Sequence, residues 1–208
     1  MFLGGNSLIE WKISTFGGTF CLRFARFCAW QNQSKIPLPE CERTTRPRSL
    51  QLRLLTEPAE LERCAARIVA HHYLQSATLV GEHQRYVATY KGEWLAVVCF
   101  SAGSYHLRHR DQFIGWSPEQ RRRRLPLVVN NSRLLILLDA HYPNLASCLL
   151  KQVLARLSDD WLARWGHPVA LVETFVDPEC FRGTTYKVSG WSELGPGVPS
   201  AATNRQPR

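Results

Sequence analysis

The sequence predicts a mixed α/β (α+β) domain, a central sheet flanked by helices on both sides, over residues 48–195 of the 208. Three observations predict it. Leu50 to Leu54 alternates apolar and polar residues like a half-buried strand, and Leu61, Cys64, Ala65 and Ile68 then recur at helical spacing. Val169 to Val176 is apolar on both faces, as a central parallel strand should be. Strand, helix and strand follow in turn over 128–176, the parallel crossover unit, within an overall order β-α-β-β-(α)-β-α-β-α.

Taken in order, residues 1–47 read as a poorly structured extension. Gly4-Gly5, Gly17-Gly18, the polar Gln31 to Ser34 and Pro37, Pro39 and Pro47 interrupt periodicity, leaving at best one short amphipathic helix around 19–30. Thr56 is the expected N-cap of a helix over 57–71, with Glu57 and Glu60 in its first turn. Leu79-Val80 and Arg85 to Tyr90 read as strand, Lys91-Gly92 as a turn, and Trp94 to Phe100 as the second strand of a hairpin. Ser117 and Pro118 open a short helix through the arginine run. Val128 to Leu138 is a strand interrupted by Asn130-Asn131-Ser132-Arg133. Asn144 is expected to cap a helix burying Leu150, Val153, Leu154 and Leu157, and Ser158 a continuation ending at Gly166. Asp177-Pro178 reads as the cap and first position of a last helical segment ending near Gly190, and 196–208 as a disordered tail.

Composition narrows the class. No run of 18 apolar residues predicts a membrane span, and the first residues lack a secretory design. The seven cysteines are widely and irregularly spaced with no Cys-x-x-Cys pair, which points to a reducing, cytoplasmic setting and no structural metal. The net charge of +9 is spread as +4 over 1–50, +4 over 51–191 and +1 over 192–208. Arg121, Arg122, Arg123 and Arg124 are either a solvated face or a phosphate-contacting patch.

Several blocks carry a resemblance. His71-His72-Tyr73-Leu74, Phe113 to Ser117, Gln120 to Arg123, Val128 to Ile136, Pro143 to Ser147, Glu173 to Pro178 and Phe181 to Thr184 with Tyr186 and Trp191 resemble, in order, the blocks of the Druantia anti-phage DruA family. They cover about two-thirds of the chain. Members occur in Druantia defence systems and near, or described as, transposases, so the resemblance implies a prokaryotic defence or mobile-element context. The element order and Tyr186-Lys187-Val188-Ser189-Gly190-Trp191 are also similar to GNAT acyltransferases. The His-His-Tyr block, the hairpin, the Asn-Ser-Arg strand and the Asp-Pro…Thr-x-Tyr segment resemble the phage Mom-type DNA-modifying branch. Together these imply a GNAT-like domain that binds or modifies nucleic acid, with a non-catalytic protein-interaction subunit of a defence complex, or a transposase-associated protein, as alternatives. The likeness fades after Leu194-Gly195, where a truncated or frame-shifted end would remove the final strands.

Glu173, Tyr186, Asp177 and His72 are the candidate catalytic residues. Glu173 lies between Leu171 and Phe175 on one strand face, so its carboxylate needs a partner or a raised pKa. Arg133 on the preceding parallel strand is the expected partner, in a structural pair or as guide to a general base. Asp177 reads as a helix cap or a cleft acid, and Tyr186 as packing or, by the acyltransferase resemblance, a general acid. Of His71 and His72, one caps the helix and the other faces a cleft beside Tyr73; adjacent histidines point apart, so no metal pair is expected.

Asn131, Ser132 and Arg133, with Tyr73, are the expected substrate-binding set. Buried polar groups left unbonded cost about 1–3 kcal/mol each, so they form a β-bulge or line a polar pocket. Asn144 and Ser147 could hold an anion at a helix N-terminus. The 140–147 loop has no glycine, and Pro143 supplies no N–H, which disfavours acyl-CoA and leaves the cofactor open. Asp139, Glu173 and Asp177 are the only strand-end acids for a transposase-type metal triad. Nucleic acid and other defence proteins are the expected partners.

Overall fold

The computed structural model describes residues 19–23, 50–137, 142, 144–178 and 180–195. Most of 1–47, Asp139 with the adjoining loop, and the 196–208 tail lie outside them. Seven strands form one sheet among the described residues: β1 Thr19–Arg23, β2 Gln51–Leu54, β3 His83–Tyr90, β4 Glu93–Ala102, β5 Val128–Ile136, β6 Leu171–Phe175 and β7 Ser192–Gly195. Their order is β2-β3-β4-β5-β6-β1-β7, with β5 and β6 parallel and all other neighbours antiparallel. The helices are α1 Pro58–His71, α2 Arg108–Ile114, α3 Pro118–Arg124, α4 Leu145–Trp165 and α5 Thr184–Val188.

Strand alternation divides the core between the two faces of this sheet. On one, Tyr86, Val98, Phe100, Val129 and Val172 pack against Leu149, Leu150, Val153, Leu157 and Trp161 of α4. On the other, Val87, Val97, Cys99 and Leu135 pack against Cys64 and Ile68 of α1. Each such side chain contributes about 1.5–3 kcal/mol on burial. The mixed sheet with helices on both sides is therefore the architecture expected from the sequence, including the parallel crossover from β5 through α4 to β6.

Several local expectations are corrected. Thr19–Arg23 is a strand between β6 and β7, not helix; two strand edges offer it backbone pairing that an isolated short helix lacks. Glu57, not Thr56, precedes α1 and makes no side-chain cap bond; Pro58 stands first in the helix, where its missing N–H and fixed φ are tolerated. Leu79-Val80 is outside any strand, although the Val80 carbonyl accepts from Ala102 N at 3.2 Å. Asn144 precedes α4 in the left-handed region (φ 59) without a side-chain cap bond. Ser158 caps nothing because α4 runs unbroken past it; its hydroxyl accepts from Val169 N at 3.2 Å. Asp177 opens no helix, its carbonyl closing a turn with Phe181 N at 2.8 Å, and α5 starts only after Gly183 (φ 68).

One irregularity positions the site. Cys99 of β4 pairs with Arg133 but Phe100 pairs with Asn131, so Ser132 is the extra residue of a β-bulge. The bulge inverts side-chain parity along β5, so Val129, Leu134 and Ile136 share the α4 side while Leu135 joins the α1 side. Pairing of β5 with β6 ends at Asn130–Glu173, whereas β5 stays with β4 to Ile136 and β6 stays with β1 to Phe175. The two parallel strands part there.

Candidate functional site

A cavity of about 520 Å³ opens where β5 and β6 part. It lies beyond the carboxyl ends of the paired parallel segments, where open α/β sheets leave a crevice. Asn131, Ser132, Leu134 and Ile136 of β5 form one wall and Thr174, Phe175 and Val176 another. The end of α1 (His71, His72, Tyr73), Ala146 and the segment Phe181 to Tyr186 complete it.

The floor is a closed hydrogen-bond network. Tyr186 donates its hydroxyl to Asn131 Oδ1 at 2.8 Å, and Asn131 Nδ2 donates to the carbonyls of Cys99 (3.1 Å) and Arg133 (3.3 Å). Thr174 Oγ1 donates to the Asn131 carbonyl at 2.9 Å, and the Ser132 hydroxyl bonds the Asn130 carbonyl and the Ser101 hydroxyl. The buried amide is thus satisfied, as its burial requires. Burial pushes the Tyr186 hydroxyl up to about 12, so it stays neutral. The polar insert in β5 is both alternatives at once, a bulge and a pocket wall.

At the rim, His72 is buried and its Nδ1 accepts from Leu74 N at 3.2 Å. Burial, followed by the nearby Arg133 charge, pulls its ring down to about 4. A neutral ring that accepts at Nδ1 carries its proton on Nε2, which makes this cavity-lining ring a donor rather than a base. Tyr73 and Phe181 meet edge to face at 5.2 Å between ring centres, and Tyr73 lies 4.7 Å from His72. Tyr73, Phe175 and Phe181 remain 43%, 40% and 50% exposed.

Glu173 does not pair with Arg133. Both Glu173 and Arg110 of α2 are 0% exposed, and Arg110 Nη1 donates to Glu173 Oε2 at 3.0 Å and to the Ser104 carbonyl at 2.7 Å. Glu173 Oε1 accepts from Ser104 N at 2.6 Å. Burial raises the Glu173 pKa, opposed by the Arg110 charge and these hydrogen bonds. Arg133 lies past the last β5–β6 rung and donates instead to the carbonyls of Ser76 (2.8 Å), Ser132 (2.7 Å) and Thr78 (3.4 Å). Neither Glu173, Arg133 nor Asp177 lines the cavity. Arg110 carried no sequence signal, because it sits among other charged residues in His-Leu-Arg-His-Arg-Asp. Phe181 lies in one of the family blocks, but its neighbours in sequence do not mark it as a site residue.

The ion network continues to the arginine run. Asp111 accepts from Arg110 and, at 3.2 Å, from Arg121, which also stacks over Tyr105. Arg123 pairs with Glu119 at 2.6 Å one turn away. Arg122 and Arg124 are exposed and pair with no acid among the described residues. Ser117 caps α3 as expected, with Gln120 completing a capping box. The four arginines therefore divide into an anchor, an ion pair and two free cations.

Asn144 and Ser147, the candidate anion holders, do not join this cavity. Ser147 donates its hydroxyl to the Asn144 carbonyl at 3.0 Å, Asn144 makes no cap bond, and neither lines the cavity. Among the described residues no cluster of three His, Cys, Asp or Glu could hold a metal ion, and no helix is long and apolar enough to cross a membrane.

Sheet and cavity define a mixed α/β protein with a ligand-sized cleft at its diverging parallel strands. The particular family follows from the sequence: the profile of Druantia protein DruA matches residues 33–197, and the chain belongs to that family. No curated protein matches the chain. Among solved structures it is similar to a GCN5-related N-acetyltransferase from Kribbella flavida (9% identity, TM-score 0.49, 90% of this chain and 60% of that one). It is also similar to a tandem GNAT protein from the clavulanic acid biosynthesis pathway (12% identity, TM-score 0.42, 88% of this chain and 52% of that one). The chain thus spans under two thirds of either structure.

Proposed function

We propose that this DruA family member is a cytoplasmic anti-phage defence protein that binds nucleic acid, with α3 meeting phosphates and the cleft meeting what the strand presents. The observation that carries this reading is the arginine helix: Arg122 and Arg124 are exposed and pair with no acid among the described residues, while Arg121 is held to the fold through Asp111. Phosphate contact by such side chains supplies sequence-independent affinity. Helix α3 precedes β5 and the cavity walls lie on its far half, about 20 Å on, or about six nucleotides at 3.4 Å each.

In this reading His72, Tyr73, Asn131, Ser132 and Tyr186 build the site, while Glu173 and Arg133 hold its walls from outside. Binding is favoured over proton transfer because no Asp or Glu is among the described lining residues. The test is fluorescence anisotropy of labelled DNA and RNA across a salt series. Arg122→Ala with Arg124→Ala should lower the salt slope by about 2 on a logarithmic scale, at about 0.9 per contact for duplex DNA. An unchanged slope overturns the phosphate role.

A second reading, docking to another defence protein, is favoured by the apolar side chains Val69, Leu74 and Val80, which are left exposed. Co-purification with the other proteins of the same defence system, lost in Val69→Ser/Leu74→Ser, would support it.

A further inference from the structure

We propose that the cavity between β5 and β6 receives one unstacked nucleobase of a single-stranded or locally opened nucleic acid, stacked on the paired rings of Tyr73 and Phe181 at its mouth. This rests on the nucleic-acid reading above and names the ligand of its cleft. Three independent features of the cavity converge on a planar, neutral, hydrogen-bonding ring.

The first is the aromatic mouth. Tyr73 and Phe181 come from distant parts of the chain, meet at 5.2 Å, and remain about half exposed. Leaving two such rings to water forgoes stabilisation that burial would supply, and a base stacked on them recovers it. The second is the charge state of the interior. His72 is neutral, Tyr186 is neutral, and no carboxylate lines the described walls. A cationic ligand finds no carboxylate on these described walls, and Arg182 is their one arginine, whereas a neutral heterocycle costs little to desolvate there. The third is donor placement. Asn131 has spent its amide on Cys99, Arg133 and Tyr186, so it shapes the floor without being available. His72 Nε2–H is left to donate to a ring nitrogen or carbonyl, the edge by which an extruded base is read.

Size and access agree. About 520 Å³ lies within the roughly 300–1,000 Å³ of small-molecule sites. Arg182 is exposed beside Phe181 and lines the same cavity, where a backbone phosphate would follow the base.

The experiment uses the full chain with two probes. One is a 15-nucleotide single strand carrying a single 2-aminopurine, compared with its perfect duplex. The other is the set of free nucleosides, followed by ligand-detected NMR. The expected result is tighter binding of the single strand than of the duplex, a change in 2-aminopurine emission on binding, and saturable nucleoside contact. Tyr73→Ala and Phe181→Ala should each weaken single-strand and nucleoside binding about tenfold, in the range for loss of one stacking partner. Their salt slope and duplex binding should be unchanged, and Tyr73→Trp should retain affinity. Circular dichroism checks that each variant is folded.

The outcomes separate the two ideas. Single-strand binding that depends on Tyr73 and Phe181, with a salt slope unmoved by Arg122→Ala/Arg124→Ala, upholds the base pocket and overturns the phosphate role of α3, whereas nucleoside binding without polymer binding overturns both. Polymer binding that survives Tyr73→Ala and Phe181→Ala undiminished overturns the pocket and leaves the phosphate reading standing. Binding of neither probe overturns both.

Discussion

Arg110→Met is the sharpest test of how the fold holds its site. In the native protein the guanidinium gives hydrogen bonds to Glu173, to the Ser104 carbonyl and, through Nε and Nη2, to Asp111 Oδ1 at 2.9 and 2.8 Å. Removing it strands the Glu173 carboxylate at 0% exposure with the Ser104 N–H as its remaining described partner. Breaking a buried pair from one side costs about 3–5 kcal/mol, a large part of the roughly 5–15 kcal/mol that holds a domain together. The loss should depend on pH. Burial already raises the folded Glu173 pKa above its unfolded value, so its contribution is fully present below the ordinary carboxylate range, near 4.3, and is lost as pH rises through the folded value. Without Arg110 the folded value climbs further, so the variant should be hurt most at pH 8 and least at pH 5. Urea unfolding at both pH values measures this, and Arg110→Met/Glu173→Leu should recover most of the loss because no buried charge is left unpaired. A single-variant loss under about 1 kcal/mol, or one equal at both pH values, would refute the closed-pair account.

Other outcomes follow from the same geometry. His72 should titrate near pH 4 by NMR; since its folded value lies below the unfolded 6.5, stability should fall as pH drops from about 6.5 towards 4, and His72→Gln should lack that limb. A midpoint near 6.5 would mean the ring is solvated. Tyr186→Phe leaves Asn131 Oδ1 without its donor and should cost about 1–3 kcal/mol, read as a lowered thermal midpoint. Gly103→Ala would place a Cβ 2.8 Å from the Val128 carbonyl oxygen and 2.9 Å from its Cγ1, so β4 and β5 must shift, at about 1–3 kcal/mol. An unaltered urea midpoint would show that this corner yields freely.

The sheet was legible because its signals are periodic and local. Leu50 to Leu54, the Lys91-Gly92 turn and the doubly apolar Val169 to Val176 each state their role within a few residues. Caps were less legible. Thr56, Asn144, Ser158 and Asp177 all have the chemistry of an N-cap, but the helices took Glu57 with Pro58, a left-handed Asn144, no break, and a left-handed Gly183. A cap needs the right backbone angle as well as the right side chain, and that angle is set by how the preceding loop returns to the sheet. The strand at Thr19–Arg23 was invisible for a related reason: what makes it a strand is the pair of edges offered by β6 and β7, far along the chain.

The site shows the same division more sharply. Its walls were readable: polar residues inside an apolar strand demanded a pocket or a bulge, and Asn131, Ser132, Tyr73, His72 and Tyr186 do meet around one cavity. The partner of Glu173 was not readable, because parity along β5 changes at Ser132 and pairing with β6 stops before Arg133. An extra residue is a statement about register between two strands, and one strand's sequence does not contain it. Yet the bulge is what gives the polar insert its meaning. It lets Asn131 tie β4, β5 and α5 together from the floor while the chain beyond it leaves β6, so the element that spoils the strand's regularity also opens the cleft. Among the described residues that cleft is lined by no carboxylate and by one arginine, Arg182, while the Glu173–Arg110–Asp111–Arg121 chain lies outside it and α3 displays Arg122 and Arg124. On the nucleic-acid reading proposed above, one surface would attract the polyanion and another discriminate, so affinity and selectivity should respond to different substitutions.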